Sequence, residues 1–597
     1  YVRWTLWTIA SPFILFIILC ILIYLPPIQN FLVDKAAVYA SEATGMNISV
    51  GRISLSFPLN LVVTNVDAAS PHNDTLLSVR RLQVNVQLLP LLKKQVEVDG
   101  ISLQGATVNS NDLIHGMKLN GTLGELFISS HGVALDPETA IVNKVLLKDT
   151  DLSLCLNDTA AADTAASDTT YWKIILQDID LQNVSFALDM PLDSLSLAAS
   201  LDNAILRDGL IDLHKSAYSL QTFRIENGRV RYDNGKPLAA DSLSSGLDPS
   251  HIALTDIGVK LDSLYYGGRN MKAIISQFVL KERSGVEIVS ATGRMVSNDK
   301  VLRVPSLKLE TRDSYLELNA AMDWNALDFK GEGLMSARLM ADIGKPDVVR
   351  FMGRMDEKFV RQYPSEPLRI RTGIDGDLNK LKLTTLTAEL PGALGLFARG
   401  ELTHLTDSLL RGGDITLEAE TKDLKFVSTL AEGIEIPYGT RLEGKFTMAG
   451  TKMGTDLLLM QPEAQAVVAA DTIPITVYND SISVADDFKM ERAARLFAKY
   501  DLSRDRYEAD LAVNHFDLHQ FMPADSLYTL STRLKVEGEG FDFFSPRTYF
   551  NAEGGIDRFH YGSYHLTGIS LAAGLEKSKV HASLAVKNWT MDIKAHL

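Results

Sequence analysis

The alternation of apolar and polar residues between positions 76 and 108 constrains this chain more than any other feature. Leu82, Val84 and Val86 alternate with polar residues, and Ile101 begins a second alternating run. Because successive side chains of a strand point to opposite faces, this pattern predicts a sheet with one apolar and one polar face. The pattern recurs almost to the C-terminus with few helical segments, so the fold class is predicted to be mainly β.

Composition and charge exclude several classes of protein. The chain has 597 residues, of which 46% are hydrophobic and 22% are charged, so most of it is expected to be folded. The net charge of −15 argues against a nucleic-acid binder. The only cysteines, Cys20 and Cys155, are too few for a disulfide framework or a thiolate metal site. The first residue, Tyr1, is not a methionine, and the alternating strand pattern continues to the last residues, 592–597. We therefore expect this sequence to be part of a longer protein, shortened at both ends.

An N-terminal transmembrane helix is predicted over residues 1–26. About twenty uncharged residues would span roughly 30 Å, the thickness of a bilayer core. The alternative, a cleavable signal peptide, is disfavoured because no small-x-small site follows and Leu19 precedes Cys20. Arg3 on the short side favours that side as cytoplasmic. The residues predicted to hold the anchor in the membrane are Trp4, Leu6, Trp7, Tyr24 and Leu25.

Residues 27–45 are predicted to form a juxtamembrane amphipathic helix. Pro26 and Pro27 end the span, apolar residues then recur at helical spacing, and Gly45 can supply the C-terminal cap. This helix could pack on the first strands or lie on the membrane surface, and packing on the strands is favoured. Beyond it, we predict an N-terminal β region over 46–156 and a polar linker over 157–170.

The rest of the chain, 171–597, is predicted to continue the sheet with loose internal repeats. The pairs Asp342-Ile343, Asp423-Leu424 and Asp517-Leu518 lie 81 and then 94 residues apart, and each precedes a bend and a glycine-rich strand. Repeats of this kind indicate a stack of strands rather than separate globular domains. Helices are predicted at 346–363, with an apolar stripe that favours core packing over lipid contact, and, more weakly, at 488–499.

No signature of an enzyme is present in the sequence. The phosphate loops, serine-hydrolase elbows and zinc-protease motifs are missing, and the 12 histidines are scattered without partners at ligand spacing. We therefore predict neither catalysis nor a metal or cofactor. Asp followed by Ser or Thr recurs often and resembles a periplasmic O-glycosylation signal, although such pairs are also common in turns. The glycosylation sites predicted from it are Thr75, Thr159, Thr164 and Thr169.

A one-sided sheet must bury its apolar face, and three arrangements are open. A second protein layer could cover it, as in a sandwich or closed barrel, or an outer-membrane barrel could turn it toward lipid. The third arrangement is a trough filled by acyl chains, which the repeats, the anchor and the shortage of helices favour. Bound phospholipid is then the expected ligand. The residues predicted to line the trough are Ile53, Leu55, Phe57, Leu82, Val84, Val86, Leu152 and Leu154.

The N-terminal part of the chain resembles the AsmA-like family, in particular its TamB branch. The matching features are the single N-terminal span and the segments 43–45, 48–59, 76–86 and 98–108. This resemblance implies a long, curved, taco-like β groove in the periplasm, anchored in the inner membrane and passing phospholipid toward the outer membrane. It also implies an outer-membrane partner of the BamA family (TamA-like), engaged through a C-terminal region that this sequence lacks.

Two functions therefore remain open at this point. The first is a passive lipid conduit, and the second is a periplasmic scaffold or chaperone whose strand edge pairs with nascent outer-membrane strands. At about 15 residues per strand and turn, the chain would supply roughly 37 strands and a rod of ~180 Å, which favours an open stack over a closed barrel.

Overall fold

A computed structural model gives the structure of the chain. It describes residues 46–56, 60–70, 75–86, 98–110, 117–134, 138–156, 172–236, 246–328, 332–353, 355–431, 433–461, 476–478, 481–483, 492–542, 544–577, 579–586 and 593–596, together with four helical positions between 35 and 41. The protein is mainly β, as predicted. Two compact units divide it, unit 1 over Tyr1–Val296 and unit 2 over Ser297–Leu597.

Unit 1 contains thirteen described strands. They are β1 (Asn47–Ser56), β2 (Asn60–Ala69), β3 (Thr75–Val86), β4 (Val98–Asn109), β5 (Met117–Ala134), β6 (Thr139–Leu156), β7 (Lys173–Met190), β8 (Leu195–Asp212), β9 (Ala217–Leu220), β10 (Thr222–Asp233), β11 (His251–Gly267), β12 (Asn270–Glu282) and β13 (Glu287–Ser297). A 3-10 turn, Pro191–Asp193, joins β7 to β8.

Strands of unit 1 that follow one another in sequence pair with one another. From β1 to β6 every pairing is antiparallel. β6 and β7 pair in parallel, and from β7 to β12 the pairing is antiparallel again, with β9 and β10 as successive parts of one interrupted strand line. The parallel pair makes the sheet mixed.

Unit 2 is a longer succession of strands. They are β14 (Val301–Thr311), β15 (Tyr315–Asp323), β16 (Met335–Ile343), β17 (Leu368–Gly376), β18 (Lys380–Leu390), β19 (Leu394–Thr403), β20 (Gly412–Thr421), β21 (Arg441–Ala449), β22 (Lys452–Gln461), β23 (Thr476–Tyr478), β24 (Ser481–Ser483), β25 (Arg492–Asp501), β26 (Arg506–Asp517), β27 (Leu527–Glu539), β28 (Tyr549–Tyr561), β29 (Tyr564–Glu576), β30 (Lys579–Val586) and β31 (Ile593–His596). β23 and β24 pair only with each other, whereas the others pair in sequence, all antiparallel.

Helices in unit 2 lie between strands and build a local core. Helix α1 is Lys345–Met352, with a proline in its first turn, and helix α2 is Glu357–Gln362, capped by the side chain of Asp356. Shorter 3-10 segments are Trp324–Asp328, Lys425–Thr429 and Leu518–Gln520. The buried cluster formed by α2, the 3-10 segment at 425–429 and the nearby strand ends consists of Phe359, Tyr363, Leu390, Ala393, Leu424 and Phe426.

The helix predicted at 346–363 is present as α1 and α2, separated near Gly353, whose φ is 76°. The apolar stripe of this helix was predicted to pack in the core. Phe359 is buried as predicted, whereas Phe351 is 57% exposed. The helix predicted at 488–499 is wrong, because β25 covers Arg492–Asp501. There the alternation of Ala494, Leu496 and Ala498 with longer side chains is satisfied by pairing with β22 and β26.

The predicted repeats have structural counterparts. Asp342-Ile343 ends β16 before α1, Asp423-Leu424 precedes the 3-10 segment at 425–429, and Asp517 caps the one at 518–520. The predicted membrane anchor and the linker at 157–170 lie outside the described residues. Among the residues that the structure does describe, no helix is long and apolar enough to cross a membrane.

Candidate functional site: the apolar face of the sheet

The apolar residues of successive strands in unit 1 line up in rows that cross the sheet. Val84 in β3 lies opposite Leu61 in β2 and Ile101 in β4, so apolar side chains meet across each ladder. Such cross-strand pairs stabilise a sheet by packing side by side. One row crosses ten strands and consists of Leu55, Leu61, Val84, Ile101, Ile128, Val145, Ile179, Leu206, Phe223 and Leu261.

A second row runs beside the first. Each member is two positions along its strand from a member of the first row, so both rows occupy the same face. This row consists of Ile53, Val63, Leu82, Leu103, Leu126, Leu147, Leu181, Ala204, Ile225 and Val259. Four of the predicted lining residues, Ile53, Leu55, Leu82 and Val84, therefore lie together in two adjacent rows.

A line of left-handed residues then interrupts six of these strands. The residues are Asn65, Gly105, Asp149, Asn183, Asn227 and Asp256, with φ between 49° and 61°. A left-handed residue in a strand shifts the alternation of faces, as a β-bulge does. In β2, for example, Val63 and Ala68 are both buried although they lie five residues apart, an odd spacing that would put them on opposite faces of a regular strand.

Because of this shift, the apolar face continues on the far side of the line. The row there includes the predicted lining residue Leu152, and the next row includes Leu154. The row of Leu152 consists of Ile48, Ala68, Leu77, Val108, Gly121, Leu152, Phe186, Ala199, Val230 and Leu254. Leu154 lies between Leu119 and Leu188. Val86 is the last residue of β3, opposite Val98, and Phe57 lies outside the described residues.

The opposite face of the same strands is mainly polar on both sides of the line, although the row of Gln83 also contains Val62, Phe127, Leu146 and Ile205. One polar row consists of Arg52, Thr64, Arg81, Gln104, Glu125, Lys148, Gln182, Asn203 and Glu226. The other consists of Ser49, Asp67, Ser78, Thr107, Thr122, Asp151, Ser185, Ser200 and Arg229. The division into an apolar and a mainly polar face is therefore kept from one strand of unit 1 to the next, as well as along each strand.

Unit 2 repeats this division of faces. One apolar row consists of Leu309, Leu316, Ala341, Ile370, Ala388, Leu396, Ala419, Leu442, Leu459, Ala494 and Val513. The other face carries cross-strand ion pairs, including Lys445 with Asp414 at 2.8 Å and Lys380 with Glu401 at 3.1 Å. These pairs are exposed, so they contribute little to stability but keep that face wet.

The apolar face of unit 1 is buried only in part, with Val63, Ala68 and Ala204 buried and most other members half-buried. All ten members of the row that contains Val84 are intermediate in exposure, and none is buried. Phe186, in the row of Leu152, is 39% exposed. Side chains under a second packed layer are mostly buried, so this degree of exposure fits packing by neighbours within the sheet alone. In the part of unit 1 that the structure describes, helical residues are found at four positions between 35 and 41 and in the 3-10 turn at 191–193.

The remaining predicted site residues are placed as follows. Thr75 is the exposed first residue of β3, where a modifying enzyme could reach it. Thr159, Thr164 and Thr169 lie outside the described residues, as do Trp4, Leu6, Trp7, Tyr24 and Leu25. Within the described residues, no group of three or more His, Cys, Asp or Glu side chains is arranged to hold a metal ion.

The line of left-handed residues was not predicted from the sequence. Its signal is a single Asn, Asp or Gly in the middle of a long alternating run, after which the apolar positions change parity. Compared with known proteins, the chain matches no family model and no curated sequence.

Proposed function

We propose that this protein is a membrane-anchored conduit in which phospholipid moves along the apolar face of a long sheet. The observation that carries the proposal is the continuity of the apolar rows across the strands of each unit, together with the half-buried state of the row of Val84 in unit 1. The curved, taco-like shape of the sheet and its place between the inner and outer membranes belong to the proposal and rest on the resemblance to AsmA-like proteins.

The mechanism follows from the two faces of the sheet. Acyl chains would lie against the apolar rows, and each buried CH₂ group would contribute about 0.8 kcal/mol to binding. The rows run across the strands, so a lipid can step from one strand to the next without leaving apolar surroundings. The head group would stay in water at the margin of the face. Since apolar residues recur in each row without an intervening charge, a lipid meets no polar barrier from step to step, which suits passive movement.

Direction must be supplied from outside this chain, because the sequence has no nucleotide-binding motif. An outer-membrane partner of the BamA family would fit this role, as the resemblance to AsmA-like proteins implies. Chemically, the site takes any two-chain phospholipid, because aliphatic side chains do not discriminate between head groups.

The test places a photocrosslinking residue at position 82 or 84, on the apolar face, and at position 83, on the polar face, in cells that make the full chain. Phospholipid adducts are expected at 82 and 84 and not at 83. Equal labelling at all three positions would count against the conduit. Absence of phospholipid from extracts of the purified protein would favour the alternative, a periplasmic scaffold or chaperone for outer-membrane proteins.

A further inference from the structure

Four loops at one end of the strands of unit 2 form a continuous edge, which we call the loop rim. It comprises residues 404–411, 450–451, 502–505 and the described residues of 540–548. Backbone hydrogen bonds join the loops in sequence: Gly450 N donates to Arg411 O (2.6 Å), Leu502 N to Thr451 O (2.9 Å) and Gly540 N to Asp505 O (3.0 Å). The loops are therefore held as one surface.

Large apolar side chains on this rim are exposed to solvent, although the ring of Phe541 also stacks on Tyr507 with 4.9 Å between ring centroids. Single exposed apolar residues are common on protein surfaces, but a group of them on one edge marks an interaction site. Their exposed fractions are all above that of Phe186, the exposed member of the Leu152 row at 39%. They are Leu409 at 77%, Leu410 at 65%, Leu502 at 45%, Phe541 at 60% and Phe544 at 93%.

A cleft of about 390 Å³ lies directly beside the rim, and cations line it. Its walls include Phe497, Tyr500 and Tyr507, and the ammonium group of Lys499 lies 4.8 Å from the centre of the Phe497 ring. Asp501 and Glu508 also line it. The four cations of the cleft are Lys452, Lys499, Arg504 and Arg506.

None of these four cations forms an ion pair with any residue that the structure describes. By contrast, the carboxylates of the rim and of Asp501 beside it are engaged in shaping the loops. Asp501 accepts hydrogen bonds from Ser503 N and Thr451 Oγ1, both at 3.0 Å. Asp505 accepts one from the Tyr500 hydroxyl at 2.6 Å.

Carboxylates also accept backbone hydrogen bonds in the loops that carry the exposed apolar side chains. Asp407 accepts a hydrogen bond from Leu409 N at 2.8 Å, and Asp542 accepts one from Phe544 N at 3.1 Å. The acids therefore stabilise the loops that carry the exposed Leu and Phe side chains. Lys452 acts electrostatically on Asp501 and Lys499 lies over the Phe497 ring, whereas Arg504 and Arg506 stay available to an external anion. This is an unusual local balance in a chain whose net charge is −15.

We propose that the loop rim docks on the surface of an anionic phospholipid bilayer. The apolar tips would enter the interfacial region, and the cations of the cleft would bind lipid phosphates. An anionic bilayer has a layer of negatively charged phosphates above an apolar layer. These two layers match the cations of the cleft and the exposed apolar side chains of the loop rim. The proposal stands apart from lipid movement along the apolar face, because docking needs no transfer.

The test is a local fluorescence measurement on the full chain, so that the predicted anchor does not decide the result. Cys20 and Cys155 are changed to serine, and an environment-sensitive dye is attached after Leu409→Cys or Phe544→Cys. Matched controls are Phe351→Cys and Leu430→Cys, which replace residues of 57% and 56% exposure beyond the opposite ends of the strands. Vesicles contain phosphatidylcholine alone or with phosphatidylglycerol.

A blue shift is expected at 409 and 544 with anionic vesicles and not at the control positions. Changing Arg504→Gln and Arg506→Gln together should raise the vesicle concentration for half-maximal shift about 30-fold, from about 1 kcal/mol per cation. No shift at 409 and 544, equal shifts at the controls, or no effect of charge removal would overturn the proposal. A shift that appears without vesicles as the protein concentration rises would assign the rim to self-association instead. Crosslinking of lipid at position 84 is expected to be unaffected in every variant.

Discussion

Nδ2 of Asn183 donates a 2.8 Å hydrogen bond to Oδ1 of Asp149, and both residues have left-handed backbone torsions in neighbouring parallel strands. Similar bonding recurs where Asn227 donates to Asp202. Exposed side-chain hydrogen bonds thus support the line of left-handed residues at Asp149, Asn183 and Asn227.

Replacing Asn183 by a β-branched residue should therefore destabilise unit 1. Valine tolerates a left-handed conformation poorly and loses the hydrogen bond, so Asn183→Val should cost about 2 kcal/mol, whereas Asn183→Gly should cost less because glycine adopts this φ freely. Hydrogen exchange of amides in β6 and β7 would measure both variants. Equal protection in the two variants would contradict a role for the backbone conformation.

A carboxylate on the apolar face should abolish lipid binding without unfolding the sheet. Val84→Asp places a charge among half-buried aliphatic side chains, and the amount of phospholipid extracted with the purified protein should fall about tenfold or more. Gln83→Asp, on the polar face of the same strand, is the matched control and should retain lipid. Circular dichroism should remain that of a sheet. Loss of the β signal in the Val84 variant alone would mean that this residue packs in a closed core.

The buried carboxylate of Asp347 should be important for the stability of unit 2. It is 1% exposed, accepts a 2.6 Å hydrogen bond from Ser314 Oγ, and lies 3.0 Å from Nη1 of Arg350. Because removing one partner leaves other buried groups unpaired, Asp347→Asn should cost about 3 kcal/mol in urea denaturation. Asp313, which also pairs with Arg350, is partly exposed, so Asp313→Asn should cost at most about 1 kcal/mol. Equal costs would contradict this ranking.

Glu420 should make the stability of unit 2 depend on pH. Burial raises the pKa of its carboxyl above the ordinary value, against the opposing charges of Arg441 and Lys422, and its Oε2 is buried without a hydrogen-bond partner. A raised folded-state pKa means that the ionised form destabilises the fold at neutral pH, and that this cost disappears as pH falls through the folded-state value toward the unfolded one.

Accordingly, Glu420→Gln should stabilise the protein by about 1 kcal/mol at neutral pH, and the gain should vanish below pH ~4. Thermal unfolding of variant and parent across this pH range would measure the difference. Glu418→Gln, two positions away on the same strand, is the control and should give no comparable gain. A gain for Glu420→Gln that persists unchanged at acid pH would rule out the carboxylate charge as its cause.

Local patterns were sufficient to predict the strands and the composition of their faces. The alternation at Leu82 and Val84 is strong enough to determine both, and the helix at 346–363 was predicted from its own spacing. The helix predicted at 488–499 was wrong because a short run rich in alanine, arginine and lysine is compatible with either a helix or a strand. Pairing with Leu457 and Leu511, distant in sequence, decides that Leu496 lies in a strand.

The rows and the loop rim could not be predicted in the same way. A row such as that of Val84 exists only because the register of each ladder matches its neighbours, and register depends on many contacts between distant residues. Likewise, Leu409 and Phe541 lie 132 residues apart in sequence, with Leu502 between them, and only the strand order brings their loops to one edge. The left-handed conformation of Asn183 and Asp149 could not be predicted for a simpler reason. A lone Asn or Asp in a sequence usually indicates a turn and not a position within a strand.

The strictly antiparallel succession in unit 2 has a consequence for how such a chain can change in length. Loss or gain of one hairpin leaves the flanking strands with the directions they need to pair, and every row simply becomes two residues shorter or longer. Loss of a single strand would instead bring two strands of equal direction together, with a connection that must return across the sheet. Relatives of this protein are therefore expected to differ in size by even numbers of strands, except where an equivalent of the parallel β6–β7 step has been gained or lost.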